Sequence, residues 1–471
     1  MLIVDWAEAS TAERTAALAR PPRGRDGAVA LRVAEILADV GARGFAAVGE
    51  WAVRLDGHPP RAFAIDAVAI AAARAAVDEA DYEALAFAAD AVRRYHQATK
   101  PTNCPEFETV PGATVTRVWR AVSPVGLYAP GGTAPLFSTL LMLAIPAAVA
   151  GCREVVAITP PAKDGSAHPM MVLAAHLAGL KTLWLVGGAH GIAALALGAG
   201  VPKCAKLFGP GNVWVAEAKR QAAELPGGPA IDLPAGPSEL MVVADAEADP
   251  ERVAVDLLSQ AEHDADAQVV LVAVGRRVAD LVMAAVEAMV PKLPRMTMVR
   301  SALAGSRAVI VNGREEALAV VNAYAAEHLS LQVEGAAEWV ADIHAAGTIF
   351  VGPHTAETFG DYLSGPSHVL PTDGAARAWS GVSVTSFMTS IAVQTATAEG
   401  AARLAPMAAR LARAEGLEAH ALAADVRAMD PSPSLRSASH FPPPQGGRVN
   451  LPSPLEGEGQ ARRAKEREGA A

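Results

Sequence analysis

Apolar runs rich in β-branched residues alternate with alanine-rich segments through the middle of the chain. Six of these runs predict strands, at residues 154–159, 182–186, 240–244, 268–274, 308–311 and 348–351. The alanine-rich segments between them have the composition of helices. Continuous apolar strands separated by helices are typical of an α/β protein in which helices cover both faces of a parallel sheet. The pattern therefore predicts an α/β fold.

Helical patterns also dominate both ends of the chain. Residues before 105 are nearly all helical in pattern, and a second helical region covers residues 399–427. We expect interruptions of that region at Pro406 and at Glu415-Gly416, because proline lacks a backbone donor and glycine adopts the left-handed conformation. From residue 431 the chain becomes rich in proline and then in charge, which predicts a disordered tail over residues 431–471.

One helix start carries a clear signal. Asp249 can cap the helix, Pro250 fits its first turn, and this helix should extend to about His263. Gln260 and His263 are three residues apart and share a helix face, so they could bind one cation. An imidazole near a helix C-terminus is also favoured by the helix dipole alone, so this pair by itself leaves metal binding open.

Composition narrows the choice of partners and compartment. The 471 residues are 51% apolar and carry a net charge of −10, with no long run of Lys or Arg in the body of the chain. This argues against nucleic acid or an anionic membrane as the main partner. Cys104, Cys152 and Cys204 lie far apart without C-x-x-C spacing, which favours a reducing compartment and hence the cytoplasm. Asp5 and Glu8 do not suit a signal peptide.

Three glycine-rich turns follow strand-like segments, at residues 128–133, 187–190 and 209–212. Glycine allows the backbone to approach a ligand, and free N–H groups in such turns can bind phosphate. Neither the P-loop pattern nor G-x-G-x-x-G between a strand and a helix occurs, so these turns alone do not establish nucleotide binding.

Several polar residues stand in otherwise apolar or turn-forming surroundings. Glu327 and His328 fall at the end of a helical pattern, where burial would shift their pKa values. Flanking glycines and prolines predict loops for Asp361 and His368. Gln, His and Asp side chains suit zinc through mixed nitrogen and oxygen ligands, although their spacing matches no local metal motif.

These segments resemble, in the same order, the histidinol dehydrogenase family. The resemblance covers about residues 1–430, and several motifs together make it specific. The segments that carry it are residues 209–219, 232–239, 256–264, 324–329, 360–372 and 415–420.

The resemblance implies a zinc enzyme that oxidises L-histidinol through L-histidinaldehyde to L-histidine with two NAD, the final steps of histidine biosynthesis. Glu327 and His328 would be the catalytic acid/base pair. Zinc would be held by Gln260, His263, Asp361 and His420. Substrate would be bound by Ser238, Gln260, His263, His328, Asp361, His368, Glu415 and His420. NAD would contact Tyr128, His190 and Asn212.

The family's fold implies two related, incomplete Rossmann-like domains with small helical terminal extensions, intertwined as a homodimer. The C-terminal extension of one chain would complete the partner's site. The implied divisions are an N-terminal extension at 1–22, a first domain with the zinc and catalytic residues at 23–127 and 238–382, a second domain on the NAD side at 128–237, and the C-terminal extension at 383–430.

The sequence departs from the family pattern mildly at residues 364–366 and 386–388 and more clearly at residue 190. His190 stands where the family usually has Gln, at a position that contacts NAD, and histidine can still donate or accept one hydrogen bond there. We therefore expect this substitution to change the affinity for NAD.

Two other functions fit parts of the sequence. A sister dehydrogenase could act on another small alcohol such as a sulfopropanediol, but the Glu415 carboxylate suits a cationic amine and would repel a sulfonate. A zinc hydrolase could use Glu327 to activate water, but it would need neither Tyr128 nor the glycine turns. The absorbance of reduced nicotinamide, measured with histidinol and NAD, separates all three.

Overall fold

Strands and helices alternate through most of the chain in the computed structural model, which describes residues 1–20, 27–131, 135–234 and 236–428. The predicted tail at 431–471 lies outside this part. Contacts divide the chain into two compact units. The first comprises the described residues of Met1–Pro105 and Arg117–Ala392, and the second the described residues of Glu106–Thr116 and Val393–Ala471.

The described strands are numbered in chain order. They are β1 Leu2–Asp5, β2 Arg61–Ala64, β3 Phe107–Val110, β4 Ala113–Ala121, β5 Val125–Tyr128, β6 Val155–Thr159, β7 Thr182–Leu185, β8 Lys206–Phe208, β9 Ala230–Ile231, β10 Glu239–Ala244, β11 Gln268–Val274, β12 Arg307–Val311, β13 His328–Gln332, β14 Thr348–Val351 and β15 Met388–Ala396.

The described α-helices are numbered in the same way. They are α1 Thr11–Ala17, α2 Gly27–Arg43, α3 Phe45–Leu55, α4 Ala67–Ala75, α5 Glu79–Ala98, α6 Phe137–Ala150, α7 Pro169–Leu177, α8 Gly188–Leu197, α9 Val213–Glu224, α10 Pro250–Ala261, α11 Arg276–Met289, α12 Met296–Ala304, α13 Arg314–Tyr324, α14 Ala336–Trp339, α15 Glu357–Tyr362, α16 Ala398–Ala414 and α17 Glu418–Ala428. Short 3-10 helices occupy Val290–Lys292, Val340–Asp342, Ala375–Arg377 and Val384–Phe387.

Two six-stranded sheets organise the first unit. One, here called the β10 sheet, has the order β1-β12-β11-β10-β13-β14, and its paired strands are parallel. The other, the β5 sheet, has the order β2-β7-β6-β5-β8-β9, with only the edge strand β2 antiparallel. In each sheet one early strand, β1 or β2, lies at an edge; the chain later enters at a central strand, adds two strands on the side of that edge strand, and then crosses to add two on the other side.

The predicted α/β fold with parallel sheets is confirmed. Successive residues of β10 pack into two different apolar clusters, with Leu240 and Val242 in one and Met241 and Val243 in the other. This alternation follows from the two-residue period of a strand and requires apolar residues at every position when both faces are covered. The predicted strands at 268–274 and 348–351 have the observed bounds, and the other four differ by one residue at one end.

Short strands with weaker patterns were not predicted. They include both edge strands β1 and β2, which lie in the region expected to be almost entirely helical, and the central strand β5. Each is only four residues long. A run this short gives too few repeats of the two-residue period to stand out from its surroundings.

The prediction that His328 ends a helical pattern is wrong. Helix α13 ends at Tyr324, Ala325 is left-handed with φ of 57°, and His328 is the first residue of strand β13. That strand pairs with β10 on one side and β14 on the other. Tertiary pairing thus overrides the local helical pattern.

Two further local predictions are corrected. Asp361 lies in the short helix α15 rather than a loop, where a Cβ on its neighbour Gly360 would come within 2.6 Å of the Phe350 ring. The glycine that suggested a loop therefore serves helix packing. Helix α16 continues through Pro406, which is exposed, so solvent can bind the carbonyl that proline leaves unpaired. The predicted interruption at Glu415-Gly416 is confirmed, and Gly416 has φ of 74°.

The second unit contains α16 and α17, which pack together, and the antiparallel pair formed by β3 with the start of β4. A Cβ on Gly400 would collide with the carbonyl oxygen of Gly112, so these two segments approach through glycine. Within the part of the chain that the structure covers, no helix is both long and apolar enough to cross a membrane.

Candidate functional site

The predicted acid/base pair lies at the amino ends of two central strands of the β10 sheet. Strand β10 begins at Glu239, directly after Ser238, and strand β13 begins at His328, directly after Glu327. Because these strands are parallel and Leu240 is in register with His328, the two segments lie side by side.

Helices bring more polar side chains to the same edge. Helix α10 returns from β10, so Gln260 in its last turn comes back to the amino ends of the strands. Helix α15 supplies Glu357 and Asp361. His328 Nδ1 lies 3.5 Å from Oε1 of Glu357, and His328 Nε2 lies 3.7 Å from Oδ1 of Asp361.

Hydrogen bonds orient the acid/base pair. Glu327 Oε2 accepts the backbone N–H of Glu239 at 2.8 Å, and His328 Nδ1 lies 3.1 Å from the carbonyl oxygen of Glu239. A carbonyl oxygen can only accept, so Nδ1 carries the proton in this bond. In a neutral ring this leaves Nε2 as the proton acceptor.

Burial and like charges shift the pKa values of this group. Burial raises the pKa of Glu327 above its usual range and raises that of Glu357 to about 8. Burial alone would lower the pKa of His328, but the carboxylates of Glu327, Glu357 and Asp361 outweigh it and raise the pKa to about 10. A cation bound among these carboxylates would offset their effect and return His328 towards its basic form.

His368 lies next to this cluster. Its Nδ1 is 3.0 Å from the carbonyl oxygen of Asp361 and its Nε2 is 2.9 Å from Oγ1 of Thr139. Burial lowers its pKa, and the nearby imidazoles of His328 and His263 act in the same direction while Asp361 opposes them. The β10 sheet edge therefore brings His263, Asp361 and His368 near the predicted acid/base pair.

The chemistry of the donor set fits a metal ion. Gln260 is 1% exposed, yet neither atom of its amide has a hydrogen-bond partner in the described part of the chain. A buried carboxamide without a partner costs free energy that a metal ligand bond would remove. Within the described ranges no three His, Cys, Asp or Glu side chains form a metal-binding group. Of the four predicted zinc ligands, the first unit holds Gln260, His263 and Asp361, and only the last two are of these residue types.

Two predicted site residues lie in the second unit: Glu415, predicted to bind substrate, and His420, predicted to bind zinc and substrate. Glu415 follows the last residue of α16, and His420 lies in the first turn of α17. Both side chains are exposed. The turn at Gly416 holds these two residues on one short segment.

The three predicted NAD contacts lie on the other sheet, at carboxyl ends of its strands. Tyr128 ends β5, His190 is in the first turn of α8 after β7, and Asn212 caps α9 after β8. Gly209 has φ of 122°, and a Cβ there would collide with the carbonyl oxygen of Tyr128. Glycine is therefore required where the turn after β8 meets β5.

A cavity of about 450 Å³ opens at this edge. Among its lining residues are Asp56, His190, Asn212, Trp51 and Arg54. Asn212 uses only Oδ1 for capping, by accepting from the N–H groups of Trp214 and Val215. Its amide nitrogen is therefore available to a ligand.

Asp56 sets the orientation of His190. Its Oδ2 lies 3.0 Å from His190 Nε2 and accepts the backbone N–H of Gly187 at 2.8 Å. His190 is fully buried, and its Nδ1 has no partner among the residues described. Tyr128 belongs to the same group, because its hydroxyl lies at the N–H of Gly188, and burial raises its pKa to about 12.

Sequence reasoning missed Asp56, Glu239 and Glu357. Glu239 lies within the segment 232–239 that carried the family resemblance, so its place in that segment was the available signal. Asp56 and Glu357 stand in no pattern that singles them out. Their roles depend on contacts with His190 and His328, which are more than 130 and nearly 30 residues away in the chain.

Comparison with known proteins gives a consistent result. A sequence model described as histidinol dehydrogenase matches residues 20–428. Histidinol dehydrogenase from Xanthomonas euvesicatoria pv. vesicatoria (strain 85-10) is 47% identical over 91% of this chain and 99% of its own length. That from Idiomarina loihiensis is 40% identical over 90% and 96%. The crystal structure of histidinol dehydrogenase from Elizabethkingia anophelis matches with a TM-score of 0.86 and 36% identity, covering 91% of this chain and 98% of that one.

Proposed function

The chain belongs to the histidinol dehydrogenase family of oxidoreductases, and we propose that it oxidises L-histidinol through L-histidinaldehyde to L-histidine, using zinc and two NAD. One observation carries this proposal: Glu327 and His328, bound to the same backbone residue, lie in a buried group of carboxylates. Such a group provides a base beside a place for a cation. These reactions are the final steps of histidine biosynthesis.

His328 is the base for oxidation of the alcohol. Nε2 accepts the hydroxyl proton of histidinol while a hydride leaves the carbon that bears this hydroxyl, which yields the aldehyde. In the neutral ring, which a bound cation would favour, the bond from Nδ1 to Glu239 leaves Nε2 as the accepting nitrogen. NAD, when bound, accepts the hydride and so supplies the redox chemistry.

Glu327 serves the second oxidation. Histidinaldehyde must add water before it can lose another hydride, and the Glu327 carboxylate can take a proton from that water. Its burial and raised pKa make it a stronger base than an ordinary glutamate. The two residues therefore divide the work, with His328 needed in both oxidations and Glu327 mainly in the hydration.

Gln260, His263, Asp361 and His420 would hold zinc. The unpartnered amide of Gln260 supports this assignment. Zinc, when bound, would orient histidinol through its imidazole and amine. Ser238, His368 and Glu415 complete the proposed substrate contacts, and the Glu415 carboxylate would accept a hydrogen bond from the substrate amine.

NAD is assigned to the cavity of the β5 sheet, in contact with Tyr128, His190 and Asn212. The N-termini of α8 and α9 at this edge favour its phosphates. The two sheets would be the Rossmann-like domains, with bounds as stated for the sequence. The assembly would be a homodimer in which Glu415 and His420 complete the partner's site. We place the enzyme in the cytoplasm, in keeping with three cysteines that form no disulfide.

The test is the absorbance of reduced nicotinamide when purified protein is mixed with histidinol and NAD. We expect two NADH for each histidinol consumed, with histidine as product, and a His328→Asn variant that is nearly inactive. A sulfopropanediol offered in place of histidinol should give no signal, because Glu415 repels a sulfonate. NADH formed only with the sulfonate would instead establish the sister activity, and no NADH with either alcohol would refute a dehydrogenase.

A further inference from the structure

The backbone of Glu239 contacts both residues of the proposed acid/base pair. Its N–H donates to Oε2 of Glu327 at 2.8 Å, and its carbonyl oxygen accepts from Nδ1 of His328 at 3.1 Å. A shift of this one residue therefore moves both groups and changes the direction of the His328 ring.

Glu239 is the first residue of β10, so the ladder continues from it in one direction along the chain only. It is in register with Gln268 of β11, and the pairing of β10 with β13 begins between Leu240 and His328. Contacts beyond the ladder therefore help to fix the position of Glu239 at this strand end.

Those contacts are made by its side chain. Arg20 Nε donates to Oε1 of Glu239 at 2.5 Å and Arg20 Nη2 donates to Oε2 at 2.8 Å. The backbone N–H of Asp373 adds a third bond to Oε1 at 2.9 Å. The side chain of Glu239 is 2% exposed and that of Arg20 13% exposed. A guanidinium bound to both carboxylate oxygens fixes direction as well as distance.

Arg20 is itself held in place. Its Nη2 donates to the carbonyl oxygen of Tyr324 at 3.0 Å, and its guanidinium lies 4.1 Å from the centre of the Tyr324 ring. Tyr324 is fully buried and its hydroxyl donates to Oε1 of Gln268 at 2.7 Å. The carboxylate of Glu239 is therefore tied to the end of helix α13, three residues before Glu327.

We propose that Arg20 is a positioning residue for the reaction: through two charged hydrogen bonds it holds Glu239, whose backbone orients Glu327 and His328. The inference rests on the proposed function, since it takes these two residues as the acid/base pair. It assigns a catalytic consequence to the segment before residue 22, which sequence reasoning treated as an extension.

Two variants test it. Arg20→Lys keeps the charge but cannot bind both oxygens in a fork, and Glu239→Gln keeps the length but loses one charged bond. In each we expect kcat with histidinol to fall about 10-fold to 100-fold, because a displacement of the base by a fraction of an ångström to an ångström costs this much. The KM values for histidinol and NAD should stay within about twofold, because neither residue is among the proposed ligand contacts.

Arg314→Lys is the matched control. Arg314 donates to Oδ2 of Asp342 at 2.7 Å and to the carbonyl oxygen of Glu338 at 2.8 Å, and its guanidinium lies 5.3 Å from the centre of the Trp339 ring. It thus combines an ion pair, a carbonyl and an aromatic ring as Arg20 does, but without contact to Glu239. We expect its kcat to remain that of the wild type. Thermal unfolding of all variants reports on folding separately.

The outcomes distinguish the two proposals. A selective loss of kcat in Arg20→Lys and Glu239→Gln supports the positioning role. The positioning role is overturned if Arg20→Lys and Glu239→Gln fold and have the same kcat as Arg314→Lys. It is also overturned if Arg314→Lys loses kcat to the same extent as they do. If Arg20→Lys does not fold, Glu239→Gln decides alone. Wild-type protein that cannot reduce NAD with histidinol overturns the proposed function instead, and this inference with it.

Discussion

The β10 and β5 sheets share one strand arrangement but use opposite ends of their strands. Glu327, His328 and Gln260 meet the β10 sheet at the amino ends of its strands, whereas Tyr128 and Asn212 meet the β5 sheet at the carboxyl ends. Ligands of open parallel sheets usually bind at carboxyl ends, where the strand order changes direction. The proposed NAD site at the β5 sheet follows this rule, and the proposed acid/base site at the β10 sheet departs from it.

Helix polarity gives the difference a physical meaning. At the carboxyl ends of the β5 sheet, helices α8 and α9 begin, so their N-termini present a positive potential that suits phosphates. At the amino ends of the β10 sheet, helices α10 and α13 end, so their C-termini present a negative potential that suits cations. This polarity supports the proposed placement of zinc at the β10 edge and of the NAD phosphates at the β5 edge.

The largest effect should come from removing the cation from the β10 edge. Chelation of zinc, or His263→Ala, should reduce histidinol oxidation to background. Thermal stability should change little, because His263 is exposed and both sheets have large apolar cores of their own. The measurements are NADH formation and a melting curve, with His344→Ala, which changes a histidine elsewhere in the first unit, as the control. Near-normal turnover in either form would remove the metal assignment.

The next effect separates the two catalytic residues within that edge. His328→Asn should slow both oxidations by about 10²-fold to 10⁴-fold, the usual contribution of a general base. Glu327→Gln should slow oxidation of histidinaldehyde far more than oxidation of histidinol, because only the aldehyde needs activated water. Single-turnover rates with each substrate measure this. Equal losses in both half-reactions for Glu327→Gln would contradict the division of labour.

A smaller effect is expected at the β5 edge from Gly209→Ala. The added methyl group meets the Tyr128 carbonyl at a positive φ, a strain of about 1–3 kcal/mol that shifts the turn after β8. We expect KM for NAD to rise about tenfold or more and KM for histidinol to stay unchanged, since 1.4 kcal/mol corresponds to about tenfold. Gly227→Ala is the control for backbone strain alone, because Gly227 also has a positive φ but its Cβ would come no closer than 3.9 Å to Nζ of Lys203. A rise confined to histidinol would place NAD elsewhere.

The smallest effect should come from His190→Gln. The amide can donate to Asp56 as His190 Nε2 does and offer an oxygen in place of Nδ1, so only the quality of one hydrogen bond changes. One such bond contributes about 1 kcal/mol, which corresponds to about a fivefold change in KM for NAD. Calorimetric titration with NAD measures the affinity directly. An effect on histidinol binding alone would contradict the proposal that His190 contacts NAD.

Local patterns were sufficient for the fold class and for strands of the two buried sheets. A continuous apolar run such as 268–274 is stable as a strand that is buried on both faces, so the bounds of this strand were predicted from the sequence. The same patterns failed at His328, where the residues before it look helical and only the neighbours β10 and β14 make a strand. Family resemblance supplied the candidate ligands and catalytic residues, because those side chains occur in short segments of distinctive composition.

Contacts between distant segments required the folded chain. Arg20 and Glu239 are 219 residues apart, and Asp56 and His190 are 134 apart, so no local period links them. The position of the proposed acid/base site at the amino ends of the β10 strands likewise depends on contacts between distant segments. It depends on where α10 and α15 return, and that is settled by the packing of whole helices on the sheet. Sequence patterns record how each segment buries its own apolar face, whereas a site assembles polar groups from several segments, whose meeting depends on all the packing at once.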